Sequence, residues 1–359
     1  MHINELSNIL NQHFKFHKAR SDCFAQLVRA MITVKTVNFS HLATSFMTQA
    51  LADSCYKRIQ RFFRFFKFDP SAVVSMVIAL FGLKNKKLTL ALDRTNWKLG
   101  KLDINILMLT VTHKGIGIPL IWSCLEKRGN SNTVERIDLI KRVLLFIGSG
   151  NIECLLGDRE FVGAEWIEWL DEQNIPFLFR VRNNSLLEGV LPVHAFFKRL
   201  PTKKKVKNGK TVLWGRAVYL STRWSYNRDE LVTLISNRKF RSPFKIYRKR
   251  WEIETFFGCL KKRGFCFEDT HLIHAARIEK LICILTVAFC WSYLVGVKKE
   301  EKAPIKTKSH GRKSKSIFRY GFDELRRIFL GLAEQADLFF NWVKLLIINE
   351  KRDLTSEGS

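Results

Sequence analysis

Apolar side chains recur at the three- and four-residue spacing of helices over roughly the first 80 residues of the chain. The spacing is clearest in residues 24–32, 39–46 and 56–66, and Asn38 or Ser40 can cap the middle helix. The last of these segments also carries four basic residues, namely Lys57, Arg58, Arg61 and Arg64. The pattern predicts a helical bundle that binds DNA in the manner of a helix-turn-helix domain. An ordinary small bundle with a solvated basic face is the alternative.

From residue 85 onward, short apolar strands alternate with amphipathic helices. The predicted strands are 88–92, 104–112, 116–124, 152–156 and 176–182, and the predicted helices are 134–147 and 164–173. Apolar strands that alternate with helices indicate a mixed α/β sheet covered on both faces.

This alternation stops between residues 184 and 236. Seven Lys or Arg residues lie in 198–210 around Asn208-Gly209, and Asn-Gly is a strong signal for a turn. Residues 211–221 and 231–236 have the composition of strands. The region is therefore predicted to be a β-rich insertion that contains a basic hairpin.

From Pro243 the chain is helical again, apart from a basic loop predicted at 298–315, where eight Lys or Arg residues occur. Residues 281–297 contain no charge. A membrane span needs about 20 apolar residues, so this shorter stretch is interpreted as a buried helix and no membrane association is expected.

The charge of the chain points to a polyanionic partner. There are 61 Lys+Arg and 33 Asp+Glu residues, which give a formal net charge of +28. A chain with this much positive charge repels itself unless a partner such as nucleic acid compensates it. Because 47% of the residues are hydrophobic, the chain can bury a core and is not a disordered basic tail.

The eight cysteines do not form a metal-binding pattern. None belongs to a Cys-x-x-Cys pair, and most lie in apolar surroundings, which predicts reduced core thiols rather than a zinc module. The polar N-terminal segment lacks the apolar core of a secretion signal. A cytoplasmic, nucleoid-associated protein is expected.

Two predicted strands end in an aspartate, Asp93 in LTLALD and Asp158 in IECLLGD. Ligands in open α/β sheets bind beyond the carboxyl ends of the strands, and a carboxylate there needs a cation to compensate it. Either aspartate alone is more typical of a turn or a helix cap. Two on similar strand ends favour a shared site.

A third element is the polar stripe predicted on the helix that follows Pro243. Tyr247, Arg250, Glu254 and Lys261 fall within an arc of about 60° at 100° per residue. The alternative is a salt-bridged face in which Arg250 pairs with Glu254. Together with the two aspartates, Glu254 can hold two Mg²⁺ ions about 3.5–4 Å apart, the arrangement that cleaves phosphodiesters.

These residues resemble the insertion-sequence-four family of bacterial DDE transposases. The resemblance rests on DRTNW at 93–97, GDREF at 157–161 and Y-x₂-R-x₃-E-x₆-K at 247–261, and covers about residues 85–300. It is strongest to the branch of the tetracycline- and kanamycin-resistance composite transposons. The family implies a ribonuclease H-like fold with a β-rich insertion before the catalytic glutamate.

The patterns along the chain and this resemblance together predict five regions. They are a helical DNA-binding domain (1–80), a catalytic core in two parts (85–183 and 239–297) separated by the β-rich insertion (184–238), and a basic loop with helices (298–359).

The resemblance also implies roles for the site residues. Asp93, Asp158 and Glu254 would be the catalytic, metal-binding triad for two Mg²⁺ ions, which Mn²⁺ could replace. Tyr247, Arg250 and Lys261 would contact phosphates of the transposon end, and Arg159 could neutralise a phosphate or anchor the flanking strand.

Relatives that cut through a DNA hairpin stack a flipped base on an insertion-domain tryptophan, but residues 231–236 contain none. Trp224, expected at a strand boundary, is the better substitute. Trp214, expected within a strand, is expected to pack against its sheet.

The predicted function is therefore cut-and-paste transposition of double-stranded DNA. A homodimer would hold two inverted-repeat ends, cut them, with the second strand cut through a hairpin, and join them to target DNA. Another ribonuclease H-like nuclease such as a resolvase, or a DNA-binding repressor derived from a transposase, is the alternative. The intact acids disfavour the repressor.

Overall fold

The computed structural model describes residues 2–187, 191–196, 207–225 and 230–347. The chain divides into two compact units. The helical unit contains Met1–Lys84, Trp97–Ile104 and Phe256–Ser359, and the sheet unit contains Asn85–Asn96 and Asn105–Thr255.

The first helices confirm the predicted N-terminal bundle. They are α1 (His2–Phe14), α2 (Lys18–Val34), α3 (Phe39–Thr44), α4 (Ala52–Phe65) and α5 (Pro70–Leu80). As predicted, Asn38 caps α3, since its side chain accepts a hydrogen bond from the Ser40 amide at 3.0 Å. On α4 the buried residues recur at helical spacing and leave Lys57 and Arg61 exposed on the opposite face.

The next elements form one sheet and the helices beside it. The strands are β1 (Leu88–Leu99), β2 (Leu102–His113), β3 (Ile116–Cys124), β4 (Ile152–Gly157), β5 (Phe177–Arg180), β6 (Leu186–Leu187), β7 (Leu191–Pro192), β8 (Lys207–Leu213), β9 (Arg216–Trp224) and β10 (Leu231–Ser236). The helices are α6 (Thr133–Ile147), α7 (Ala164–Glu172), α8 (Val193–Phe196) and α9 (Pro243–Tyr247).

The strand order confirms the predicted mixed sheet. It runs β3-β2-β1-β4-β5-β10-β9-β8-β6-β7. The central strands β1, β4 and β5 are parallel, whereas β10 pairs antiparallel with both β5 and β9. The central strands are mostly apolar and buried, because helices cover a parallel sheet on its faces. Helix α6 packs on α7 and on β3.

The inserted segment is β-rich as predicted, but its turn lies elsewhere. Asn208 and Gly209 are inside β8, paired with Ser221 and Leu220 of β9. The chain reverses instead at Trp214-Gly215, where both residues have positive φ angles of 51° and 74°. Trp214 therefore lies at a turn rather than within a strand, which corrects the sequence prediction. Most of the basic run, 197–206, lies outside the described residues.

The remaining helices are α10 (Trp251–Leu260), α11 (Ala275–Lys302), α12 (Ile317–Leu330) and α13 (Ala336–Val343). Helix α11 is long and apolar enough to cross a membrane, but 94% of its apolar window is buried inside the protein. It packs on α2, α5 and α12, so the predicted buried helix is confirmed. A Cβ on Gly321 of α12 would overlap the backbone of Gly296 in α11, which explains how these helices approach so closely.

Helix α11 continues to Lys302. The predicted basic loop therefore begins about five residues later than the charge pattern indicated. Six of the eight cysteines are buried and all eight are free thiols, as predicted.

Candidate active site

Asp93 lies in the middle of β1 and not at its end, which corrects the sequence prediction. Residues 88–93 are buried, and beyond them β1 continues to Leu99 with partly exposed positions. The loss of burial after Asp93 therefore marks a change of environment and not the end of the strand. The Asp93 side chain is 12% exposed and its Oδ2 accepts a hydrogen bond from Arg250 Nη1 at 2.7 Å.

Asp158 directly follows the last residue of β4, as predicted. Its Oδ1 accepts a hydrogen bond from the Glu160 amide at 2.8 Å, and its carbonyl accepts one from the Phe161 amide at 3.0 Å. The tight turn also needs the preceding glycine, since a Cβ on Gly157 would lie 3.0 Å from that of Phe161 and 3.1 Å from the Phe179 ring.

The register of the sheet brings the two aspartates to one edge. β1 and β4 run parallel, with Ala91 opposite Leu156. Asp93 and Asp158 each lie two residues beyond this pair. They therefore lie side by side, with Asp93 in the middle of β1 next to the carboxyl end of β4 that Asp158 follows, and the carboxyl ends of parallel strands are where α/β sheets bind ligands.

Glu254 is half-buried on α10, whose first turn packs closely on the sheet. A Cβ on Gly117 of β3 would lie 3.0 Å from Ile253 Cα and 3.1 Å from the Glu252 carbonyl oxygen. The Glu252 side chain accepts hydrogen bonds from the amides of His113 and Gly115 at the β2–β3 turn. Gly117 has no side chain, and the amides of His113 and Gly115 hold Glu252. Ile253, the residue directly before Glu254, therefore packs against β3.

The three carboxylates influence one another. The pKa of Asp93 is raised to about 7, chiefly by burial and also by the charges of Glu254 and Asp158, against the opposing effects of Arg250 and the Arg94 amide. Carboxylate oxygens of this kind are the donors that Mg²⁺ prefers. Within the described ranges, no three His, Cys, Asp or Glu side chains are arranged as a metal site, and Asp93 Oδ2 is bound to Arg250.

The predicted polar stripe does not lie on one continuous helix. Tyr247 ends α9, Arg250 lies in a 3₁₀ turn, and Lys261 follows the last residue of α10. The angular calculation assumed a single helix and is therefore wrong for these residues. The break turns Arg250 toward Asp93, so the carboxylate that pairs with Arg250 at 2.7 Å is Asp93 rather than Glu254.

Tyr247 belongs to the same electrostatic group. Burial raises the pKa of its hydroxyl to about 12, Arg250 and Arg180 lower it, and Asp158 and Asp93 raise it. It is thus a neutral hydrogen-bonding group at neutral pH.

Lys261 falls in the helical unit. There its Nζ lies 3.0 Å from Glu268 Oε1 and 5.6 Å from the centre of the Trp97 ring.

A residue that the sequence analysis missed connects the two aspartate segments. Arg94, the neighbour of Asp93, binds both carboxylate oxygens of Glu160, two residues after Asp158, at 2.5 and 2.8 Å. The same guanidinium donates to Asn105 at 2.9 Å and to the Gly129 carbonyl at 2.7 Å. A bidentate pair of this kind fixes orientation as well as distance. The sequence shows that an arginine follows Asp93 and that a glutamate lies two residues after Asp158. Only the fold reveals that these two side chains, Arg94 and Glu160, are in contact.

Arg159 and Trp224 also lie in the sheet unit, and each has surroundings of its own. Arg159 lines a cavity of about 320 Å³ with Arg180, Arg182 and Glu230. Trp224 ends β9 opposite Leu231, as expected for a strand boundary, but its indole N–H is buried. The side chain of Trp251, next to Arg250, is the most exposed ring near the site, with 64% of its surface accessible.

Comparison with known proteins bears on the whole of this region. The family model described as the transposase DDE domain matches residues 84–291, which is 291 − 84 + 1 = 208 of the 359 residues. No curated protein matches the chain significantly. The matched span contains all three acids, and with the mixed sheet it confirms the predicted ribonuclease H-like fold.

Proposed function

The chain belongs to the DDE transposase family, and we propose that it is a cut-and-paste transposase that acts at the inverted-repeat ends of its element. The observation that carries the proposal is the edge where Asp93 and Asp158 emerge side by side, within electrostatic reach of Glu254. DDE transposase domains generally use divalent metal ions, and their substrate is DNA.

Asp93, Asp158 and Glu254 are proposed to hold two Mg²⁺ ions, which Mn²⁺ can replace. When bound, these ions would supply charge stabilisation and an activated nucleophile for phosphodiester cleavage. Arg250 now binds Asp93 Oδ2. The proposed role of Asp93 as a ligand requires this guanidinium to move away from the carboxylate.

Arg250 is then available for a phosphate, which a guanidinium can bind with two hydrogen bonds. Tyr247, whose hydroxyl stays protonated, can donate a further one. Lys261 is proposed to add a point charge on the same DNA end, and Arg159 to contact the flanking strand with the other arginines of its cavity.

The second strand is proposed to be cut through a DNA hairpin, with a tryptophan stacked on an unpaired base. Trp224 remains the candidate from the sequence, and the exposed ring of Trp251 is a second one, since a stacked base contributes about 1–3 kcal/mol. Trp224→Ala and Trp251→Ala, each assayed with 2-aminopurine near the transposon end, separate the two. The stacking residue is the one whose loss lowers both hairpin yield and fluorescence while nicking continues.

The remaining parts of the proposal concern assembly and location. Two ends must be held together for joint insertion, so a homodimer on DNA is proposed, acting in the bacterial cytoplasm on the nucleoid. The net charge of +28 supports binding to the DNA backbone.

The decisive experiment incubates the protein with DNA that carries the ends of its own element, with Mg²⁺ or with EDTA. Products are resolved on a denaturing gel. Nicks, hairpins and joined strands that need Mg²⁺ are expected. Cleavage without strand joining would favour a nuclease or resolvase, and binding without any cleavage would favour a repressor.

A further inference from the structure

The helical unit contains a cavity that the proposed chemistry does not use. It has a volume of about 460 Å³, within the range of about 300–1,000 Å³ typical of small-ligand sites. Its walls are α3, α4, the segment before α11 and the first turn of α11. The lining residues are Asn38, Phe39, Ser40, Tyr56, Gln60, Phe63, Arg64, His271, Leu272 and Arg277.

The charge of this cavity is one-sided. Arg64 and Arg277 line it, and no lining residue is acidic. In the part of the chain that the structure describes, neither arginine forms an ion pair with a carboxylate; Arg64 lies against the Phe65 ring at 5.1 Å. Two unpaired guanidinium groups facing one cavity are suited to a phosphate, which they can bind with several hydrogen bonds.

A buried lysine contacts the cavity wall. The Lys280 side chain is buried, and its Nζ donates a hydrogen bond to the carbonyl of Phe63, a lining residue, at 2.8 Å. Burying a cation is costly, and here no acidic residue lines the cavity to offset it.

The rest of the wall is aromatic and amide-rich. The Phe39 ring lies 4.8 Å from that of Phe63 and 6.4 Å from that of Tyr56. Tyr56, Gln60, Phe63 and Arg64 follow one another at steps of four, three and one along α4, so a single stripe of this helix faces the cavity. Aromatic rings can stack a base of any sequence, and the amides of Asn38 and Gln60 can bond to its edge.

The geometry points to a binding site for one nucleotide, with its phosphate between Arg64 and Arg277 and its base against Tyr56. Because DNA is the proposed substrate, the occupant is an unpaired nucleotide of a DNA strand, and this part of the inference rests on the proposed function. A free nucleotide carries the same chemistry, so the test must separate these two sources.

The test measures binding of the full chain by fluorescence anisotropy in EDTA, where no cleavage interferes. The probes are a blunt DNA duplex and the same duplex with a short single-stranded thymidine overhang. Free thymidine 5′-monophosphate is added as competitor in a second arm. We expect the wild type to bind the overhang duplex about tenfold more tightly than the blunt one.

Arg64→Ala/Arg277→Ala should remove that preference and lower the slope of log affinity against log salt by about one unit, because the two arginines bind the same phosphate. The matched control is Lys57→Ala/Arg61→Ala, which removes two exposed charges from α4 outside the cavity. The control should lower affinity for both duplexes alike. Tyr56→Ala should remove the overhang preference and keep the salt slope.

Equal overhang preference in the cavity variant and in the control would overturn the site. Competition by the monophosphate at concentrations that leave the blunt duplex bound would support it, and competition without any overhang preference would assign it to a free nucleotide. Should the alanine pair unfold, Arg64→Gln/Arg277→Gln keeps most of the side-chain length and removes the same charges. Overhang binding by a wild type that cuts no DNA would overturn the proposed function and leave the cavity site standing.

Discussion

Arg94 and Arg250 of the sheet unit are nearly buried, and each is paired with a carboxylate. Arg64 and Arg277 of the helical unit line an open cavity, and among the residues that the structure describes neither is paired with a carboxylate. The guanidinium of Arg250 is 10% exposed beside Asp93, and that of Arg94 is 13% exposed beside Glu160. Both units are basic in sequence. The difference lies in what each arginine contacts.

The two surroundings give positive charge two different effects. A buried pair fixes the geometry of the groups that it joins, and removing one partner leaves an uncompensated charge behind. An exposed, unpaired arginine contributes little to folding and is available for phosphate, with a contribution that falls as salt rises. Counting Lys and Arg therefore overstates the charge that the sheet unit offers to DNA.

The largest effect on catalysis is expected from substitutions of the three acidic residues of the sheet unit. Replacing Asp93, Asp158 or Glu254 with Ala should lower cleavage and strand joining by roughly 10³-fold or more, because the proposed metals would supply several kcal/mol of charge stabilisation. DNA-end binding should survive, since phosphate contacts dominate affinity. A gel-shift and a cleavage assay on the same preparations check both points, and substantial cleavage by Glu254→Ala would refute the triad.

The next effect concerns the pair that joins the two aspartate segments. Arg94→Ala or Glu160→Ala should lower the free energy of unfolding by about 1–3 kcal/mol, because the partner loses a charged hydrogen bond, and should reduce cleavage by lowering kcat more than by raising KM. Chemical denaturation of both single variants and the double variant gives the coupling energy. A coupling energy near zero would show that the Arg94–Glu160 pair does not hold the Asp93 and Asp158 segments together.

The contrast between paired and unpaired arginines can be tested directly with single substitutions. Arg250→Ala should lower thermal stability, because Asp93 is left buried without its cation. Arg64→Ala should leave the free energy of unfolding within about 0.5 kcal/mol and lower the salt slope of DNA binding by up to about one unit, because Arg277 still contacts the same phosphate. Calorimetry gives the thermal stability of each variant, and a salt series gives the salt slope of its DNA binding. Equal changes of both quantities in the two variants would show that the paired and the unpaired arginine do not differ.

The phosphate role of Lys261 can be separated from its internal pairing in the same way. Lys261 pairs with Glu268 at 3.0 Å, with both side chains partly exposed, so the pair itself contributes about 0–1 kcal/mol. Lys261→Ala should lower the salt slope of end binding by about one unit with little change in melting temperature. An unchanged salt slope would mean that Lys261 does not contact a phosphate and only pairs with Glu268 within the protein.

The last prediction concerns burial away from the active site, and its effect is absent at neutral pH. The pKa of His113 is lowered to about 4, chiefly by burial and also by the charges of Lys114 and Lys86. The neutral imidazole therefore stabilises the fold above the unfolded pKa of about 6.5, and this stability is lost as pH falls toward 4, by at most about 1.4 kcal/mol per pH unit. His113→Asn should flatten the unfolding free energy over that window. An identical dependence of the unfolding free energy on pH in the variant and the wild type would show that His113 does not contribute to the loss of stability at low pH.

Some features of the site were predictable because they depend on neighbours in the chain. Asp158 at a strand end follows from a short apolar run and a turn, and the cap at Asn38 follows from residues two positions apart. The position of Asp93 was not predictable to the residue, since the continuation of β1 to Leu99 depends on pairing with another strand rather than on its own apolar pattern. The roles of the triad, Tyr247, Arg250, Lys261, Arg159 and Trp224 stay predictions.

The sequence by itself determined the alternation of strands and helices, the buried character of α11 and the excess of positive charge, because periodicity and composition are local properties. Tertiary structure alone decided which charges meet. Arg250 pairs with a carboxylate 157 positions away, Arg94 with one 66 positions away, and the helix breaks between Tyr247 and Trp251 where a continuous pattern had favoured one helix. Each of these contacts depends on the register of the parallel strands and on close backbone packing, and neither is encoded in the spacing of residues along one segment.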